Sequence, residues 1–108
     1  MKPPAPKNEI TAQQFAAKIY AIVAQIPAGK VASYGQLALL AGYPQWARRA
    51  GKAMGMAPRD LTSHRVVNSA GRLVPGWPQQ RQYLQQEGVT FTPGGLVNMR
   101  KHRWHPFE

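Results

Sequence analysis

The stretch Ser33–Met54, written SYGQLALLAGYPQWARRAGKAM, decides the fold. Ser33 and Gln36 stand in S-x-x-Q spacing, the capping box in which a hydroxyl and a glutamine satisfy free N–H groups at a helix start. Leu37, Leu40 and Ala41 follow as a short apolar stripe, and Gly42 ends it as a C-terminal cap. Pro44 then opens the next helix, because proline lacks only a donor that a first turn leaves unused. Ala47, Ala50 and Met54 face inward there, Gly51 allows close packing, and Arg48, Arg49 and Lys52 are left for the outer faces. Two short helices across a tight glycine-containing turn read as a helix-turn-helix, and its second helix, here the cationic one, presents side chains to DNA.

Upstream, Thr11 and Gln14 form another capping box. Phe15, Ile19, Ile22, Val23 and Ile26 recur at three- and four-residue spacing, so one face of this first helix is buried until Pro27-Ala28-Gly29 stops it. Downstream, Val66-Val67 reads as a short buried strand, Asn68-Ser69-Ala70-Gly71 as a turn, and Leu73-Val74 as the returning half of a hairpin. Pro75-Gly76-Trp77-Pro78 is a loop holding one aromatic. A fourth helix is expected from Pro78 to Glu87, with Tyr83 and Leu84 inward and Gly88 as its cap. Val89-Thr90-Phe91 and a Gly94-Gly95 turn lead to Asn98–Trp104, a basic run that reads equally as a phosphate contact or a solvated tail. Residues 1–10, with three prolines, are expected to be a disordered tail, and 11–108 a single domain. The fold class is α+β, mostly helical, winged-helix-like.

Charge narrows the partners. Fourteen Lys and Arg stand against four Asp and Glu, a formal +10. Such an excess repels itself in a small domain, so it serves a polyanion, with nucleic acid ahead of an anionic membrane surface. The absence of cysteine excludes disulfides, thiolate chemistry and Cys-ligated zinc. The opening MKPPAPKNE lacks the apolar core of a signal peptide. No apolar run approaches the roughly 18 residues that span a bilayer. A cytoplasmic protein without metal or cofactor is the expectation.

The segment Thr62–Val67, TSHRVV, carries the chemistry. Ser63, His64 and Glu87 are the residue types of a hydrolytic triad. Yet adjacent side chains on an extended segment point to opposite faces, and no Gly-x-Ser-x-Gly elbow is present. The alternative is that His64 and Glu87 hydrogen-bond in a partly buried cluster. Other readings also come in pairs. Arg48 and Arg49 either contact phosphates or send one guanidinium into the duplex. Tyr34 is a core residue or presses on the DNA backbone. Trp77 is a wall for a base or a hydrophobic plug.

Three segments, in order, carry a resemblance: PAGKVASYGQLA from Pro27 to Ala38, ARRAGKAM from Ala47 to Met54, and HRVVNSAG from His64 to Gly71. Over about residues 12–90 the chain resembles the DNA-binding domain of O6-alkylguanine-DNA alkyltransferases. Those enzymes carry Pro-Cys-His-Arg-Val, and the Cys takes the alkyl group; here the frame reads Thr62-Ser63-His64-Arg65-Val66. Loss of the nucleophile is the mark of the alkyltransferase-like proteins, which bind alkylated DNA without repairing it. A serine hydroxyl is also a far poorer nucleophile than a thiolate near pH 7.

The resemblance implies that Arg48 is the finger inserted through the minor groove and that Tyr34 pushes the phosphate 3′ of the flipped nucleotide. It implies that Ser63 stands where the Cys is missing, with His64 and Glu87 as a vestigial relay. Tyr34, Gln36, Arg48, Arg49, Lys52 and Arg65 would contact DNA. Tyr34, Ser63, Val66, Val67 and Trp77 would line the lesion pocket, the two valines holding the base edge through backbone groups. The segment between Met54 and Ser63 is shorter than in the enzymes, and the loop around Trp77 differs in length. A monomeric, non-enzymatic sensor follows, binding double-stranded DNA with O6-alkylguanine and flagging it for nucleotide excision repair proteins. Two alternatives stand beside it: an alkyltransferase or hydrolase using Ser63, and a plain helix-turn-helix regulator, which leaves TSHRVV without a purpose.

Overall fold

A computed structural model describes residues 10–107. Helix α1, Ala12–Val23, starts on the complete Thr11/Gln14 capping box. Phe15, Ile19, Val23 and, just beyond the helix, Ile26 are buried, while Ile22 is only partly covered. Each such side chain taken from water contributes about 1.5–3 kcal/mol. The tail expected over 1–10 lies outside the described residues except for Ile10, which packs against this core.

Helix α2, Tyr34–Leu40, starts on Ser33, whose hydroxyl accepts from the Gln36 N–H at 3.1 Å. Only half of the expected box forms: the Gln36 side chain donates instead to the Trp104 carbonyl at 2.7 Å. Leu37 and Ala38 are buried, Leu40 is partly covered, and Gly42 takes the left-handed conformation with φ 95°. The next helix does not open at Pro44. Pro44 and Gln45 lie in a turn, the Trp46 N–H donates to the Tyr43 carbonyl, and α3 runs Ala47–Gly55. The aromatic rings set that start. Tyr43 and Trp46 stack at 4.5 Å, and Phe15 of α1 meets both edge-on. Ala50 and Ala53 are the buried positions of α3, whereas Ala47 and Met54 are partly covered.

The hairpin expected at Val66–Val74 is replaced by a parallel pair. Strand β1, Ala32–Ser33, pairs with β2, Val66–Val67, and Leu73-Val74 is not a strand. The Asn68 side-chain oxygen accepts from the N–H groups of Ala70 and Arg72, which turns the chain without a hairpin. Gly71, with φ 90°, returns the chain so close to Val97 that an added Cβ would lie 2.6 Å from its carbonyl oxygen. Helix α4 is Gln79–Gln86, flanked by Pro78 and Glu87, and Leu84 is buried. Tyr83 faces outward, 43% exposed, because Gln80 takes the inward position. Gln80 accepts from the Val74 N–H and donates to the carbonyls of His64 and Val66.

The basic run is not a solvated tail. It forms α5, Met99–His102, on an Asn98 cap. Backbone bonds between Val31 and both His102 and Trp104 then fix it beside β1. His102 is buried, its Nδ1–H donating to the Gly29 carbonyl and its Nε2 accepting from the Thr90 N–H. A second cluster of Val31, Val67, Leu84, Val89 and Val97 lies under this part of the chain. The architecture is a mostly helical α+β domain with a two-stranded sheet. Among the described residues no helix is long and apolar enough to cross a membrane.

Candidate nucleic-acid interface

Residues 63–65 form a single 3-10 turn leading into β2, rather than an extended segment. The turn separates the three side chains by role. His64 Nε2–H donates to Glu87 Oε2 at 2.9 Å. Arg65 approaches the same carboxylate with Nε at 3.0 Å from Oε1 and with Nη2 at 2.7 Å from Oε2. Its Nη1 donates to the Ile26 carbonyl at 2.7 Å. Burial alone pushes the Glu87 carboxyl up, but the hydrogen bonds and charges of Arg65 and His64 outweigh it and hold the pKa at about 2. Ser63 makes no hydrogen bond to His64 and faces a cleft instead.

That cleft has a volume of about 200 Å³ and is lined by Tyr34, Gly51, Met54, Gly55, Ser63, Val66, Val74 and Trp77. Tyr34 opens α2, and Gly51 of α3 makes room for it: a Cβ there would sit 3.8 Å from the tyrosine ring. Burial raises the Tyr34 hydroxyl above its ordinary value, so it stays a neutral donor at neutral pH. Trp77, half-buried in its loop, stands edge-on to Tyr83 at 6.4 Å. The cleft is thus apolar, with two hydroxyls and flat rings along its wall, the surface on which a base can stack and hydrogen-bond.

Of the residues expected in the pocket, Tyr34, Ser63, Val66 and Trp77 meet in this cleft. Val67 does not. Its side chain is fully buried in the second core cluster, because successive strand residues point to opposite faces. The Val66 carbonyl already accepts from Gln80 at 3.0 Å, which limits what its backbone can offer a base.

The residues expected on DNA also divide. Arg48, Arg49 and Lys52 are exposed on α3. Arg49 lays its guanidinium 4.1 Å over the Trp46 ring. With Lys52 it edges a separate apolar groove of about 230 Å³ between α1 and α3, which Ser63 does not line. Arg65 and Gln36 are not free for phosphates: Glu87 and Ile26 hold the first, and Trp104 the second. Partly buried charged and amide groups take protein partners when water is scarce, and these partners are far away along the chain. Met54, Gly51 and Val74 line the cleft without having been singled out for it. Small or apolar residues around a pocket look like core residues in a sequence. Among the described residues no three His, Asp or Glu side chains gather to hold a metal ion.

The family model for the DNA-binding domain of 6-O-methylguanine DNA methyltransferase matches residues 14–89. A protein named DNA base-flipping protein, from Vibrio parahaemolyticus, is 42% identical over 98 residues, covering 86% of this chain and 98% of that protein. Alkyltransferase-like protein 1 of Schizosaccharomyces pombe is 35% identical over 104 residues, covering 86% of this chain and 96% of its own length. The crystal structure of S. pombe Atl1 in complex with damaged DNA containing O6-carboxymethylguanine superposes with a TM-score of 0.80 at 33% identity, covering 90% of this chain and 100% of that one.

Proposed function

The chain belongs to the 6-O-methylguanine DNA methyltransferase DNA-binding-domain family, and from that premise we propose that it is a non-enzymatic sensor of O6-alkylguanine in double-stranded DNA. The observation that carries this reading is Ser63. The resemblance implies the acceptor cysteine at this position, and the chain carries Ser63 there and has no cysteine at all. Ser63 opens onto an apolar cleft and is not engaged by His64.

In this reading the +10 charge supplies a salt-dependent grip on phosphates. Arg48, exposed on α3, enters the minor groove and fills the gap of the flipped nucleotide, while Arg49 and Lys52 hold the backbone. Tyr34 donates its hydroxyl to the phosphate beside it. The base lies in the cleft with its O6 toward Ser63, against Val66 and Trp77. Flipping costs a few kcal/mol, less for a poorly paired lesion, so selectivity begins before the pocket is reached. With no group transferred, the complex persists and the distorted DNA is a flag for nucleotide excision repair. The protein acts in the cytoplasm as a monomer.

Matched duplexes carrying O6-methylguanine or guanine, titrated at fixed salt, test the reading, with the intact mass taken after long incubation with the lesion. Tighter lesion binding at unchanged mass is expected. A gain of one methyl group would make Ser63 or a neighbour an acceptor. Equal affinities at unchanged mass would leave only a basic DNA-binding domain.

A further inference from the structure

Ser63 belongs to two cavities at once. It closes the inner cleft beside Tyr34, and with Met54 and Trp77 it also edges a wider, open cavity of about 600 Å³. The outer cavity is completed by Arg59 and Tyr83 among others. Because Met54, Ser63 and Trp77 are shared, the two spaces meet at the serine. Ser63 is the smallest of the three residues that border both spaces.

Arg59 is exposed, and among the described residues no salt bridge holds its guanidinium. No carboxylate lines the cavity: Asp60, next in sequence, is not on its wall, and Glu87 is held by His64 and Arg65. The outer cavity therefore presents a single unopposed positive charge beyond Ser63.

We infer that Arg59 determines specificity for the substituent of the flipped base: the outer cavity receives O6 groups that outgrow the inner cleft, and Arg59 favours those ending in a carboxylate. This rests on the proposed lesion reading, in which O6 points toward Ser63. A guanidinium meets a carboxylate with two parallel hydrogen bonds, which a neutral group of the same size does not reproduce. The cavity is open to water, so the preference is that of a solvent-accessible ion pair and fades as salt is added.

The test uses two duplexes differing in one functional group, O6-carboxymethylguanine and its neutral amide, O6-carbamoylmethylguanine. The wild-type protein is expected to bind the carboxylate about threefold to fivefold more tightly at low salt, the scale of an exposed ion pair. Arg59→Gln should bring the ratio of the two dissociation constants to one. Lys18→Gln, which removes the same charge from the exposed face of α1, should not. A ratio of one in the wild-type protein overturns the inference, and so does a preference that survives Arg59→Gln or disappears equally in Lys18→Gln. O6-methylguanine against guanine, measured alongside, separates the two levels. Loss of that preference removes the lesion reading, whereas its retention without a carboxylate preference removes only the role of Arg59.

Discussion

The two sides of the turn at Ser63–Arg65 treat adjacent residues in opposite ways. On one side His64 and Arg65 are fully committed to Glu87, with Arg65 also tied to Ile26. On the other, Ser63 faces a cleft built from Tyr34, Gly51, Val66 and Trp77. Removing a charge from water is tolerated only when its partners are in place, so the committed side has become framework. The open side keeps its hydroxyl and its rings for something that arrives. Three residue types that could make a nucleophilic triad are thereby divided between holding the domain together and lining its cleft. The chemistry a sequence suggests depends on which faces the backbone gives its side chains.

The contrast can be broken first on its framework side. Glu87→Gln leaves Arg65, only 16% exposed, without its counter-charge, and should destabilise the fold by about 3 kcal/mol. The effect reads as a lower urea midpoint at unchanged slope. Acid acts in the same direction. The folded Glu87 pKa of about 2 lies below the ordinary 4.5. The stability this carboxylate contributes is therefore complete above about pH 5 and is lost as pH falls toward the folded value. That part of the acid unfolding profile should be missing in Glu87→Gln.

The cleft side predicts binding losses without loss of fold. Arg48→Ala should weaken lesion binding by about thirtyfold, the size of an interface hot spot. Lys18→Ala should change it by no more than about twofold. Equal effects would remove the idea of an inserted finger. Tyr34→Phe deletes only a hydroxyl and should weaken lesion binding by about fivefold, the value of one hydrogen bond. It should also reduce the fluorescence rise of a 2-aminopurine placed at the flipped position. An unchanged rise would mean that Tyr34 is a wall and takes no part in turning the nucleotide.

The sequence announced its helices through devices that act within a few residues. Thr11 and Gln14 cap α1, Phe15, Ile19, Val23 and Ile26 of the apolar spacing are buried, and Gly42 is left-handed after α2. Pro44 misled, because the connection before α3 is held by packing of Tyr43 and Trp46 on each other and on Phe15 of α1, contacts that local sequence does not show. The parallel pairing of Ala32–Ser33 with Val66–Val67 left no signal, since two residues are too few for a period and the partners lie far apart in the chain. At the candidate site the motif positions of Tyr34, Ser63, Val66 and Trp77 led to one cleft. Val67 did not go there, because it packs in the second core cluster, and Arg65 and Gln36, expected on DNA, hydrogen-bond instead to Glu87 and Trp104 of distant elements. Cations read as surface charge in a sequence, and nothing local distinguishes the one that is folded inward.

Gln80 has a consequence for how the cleft works. From inside α4 its amide reaches both the Val74 N–H and the Val66 carbonyl, so it clips the loop before Trp77 to the strand after Arg65. Two walls of the cleft are joined by one side chain that no ligand needs to touch. A preorganised wall loses little conformational entropy when a base enters. More of the interaction free energy then remains to offset unstacking of the duplex.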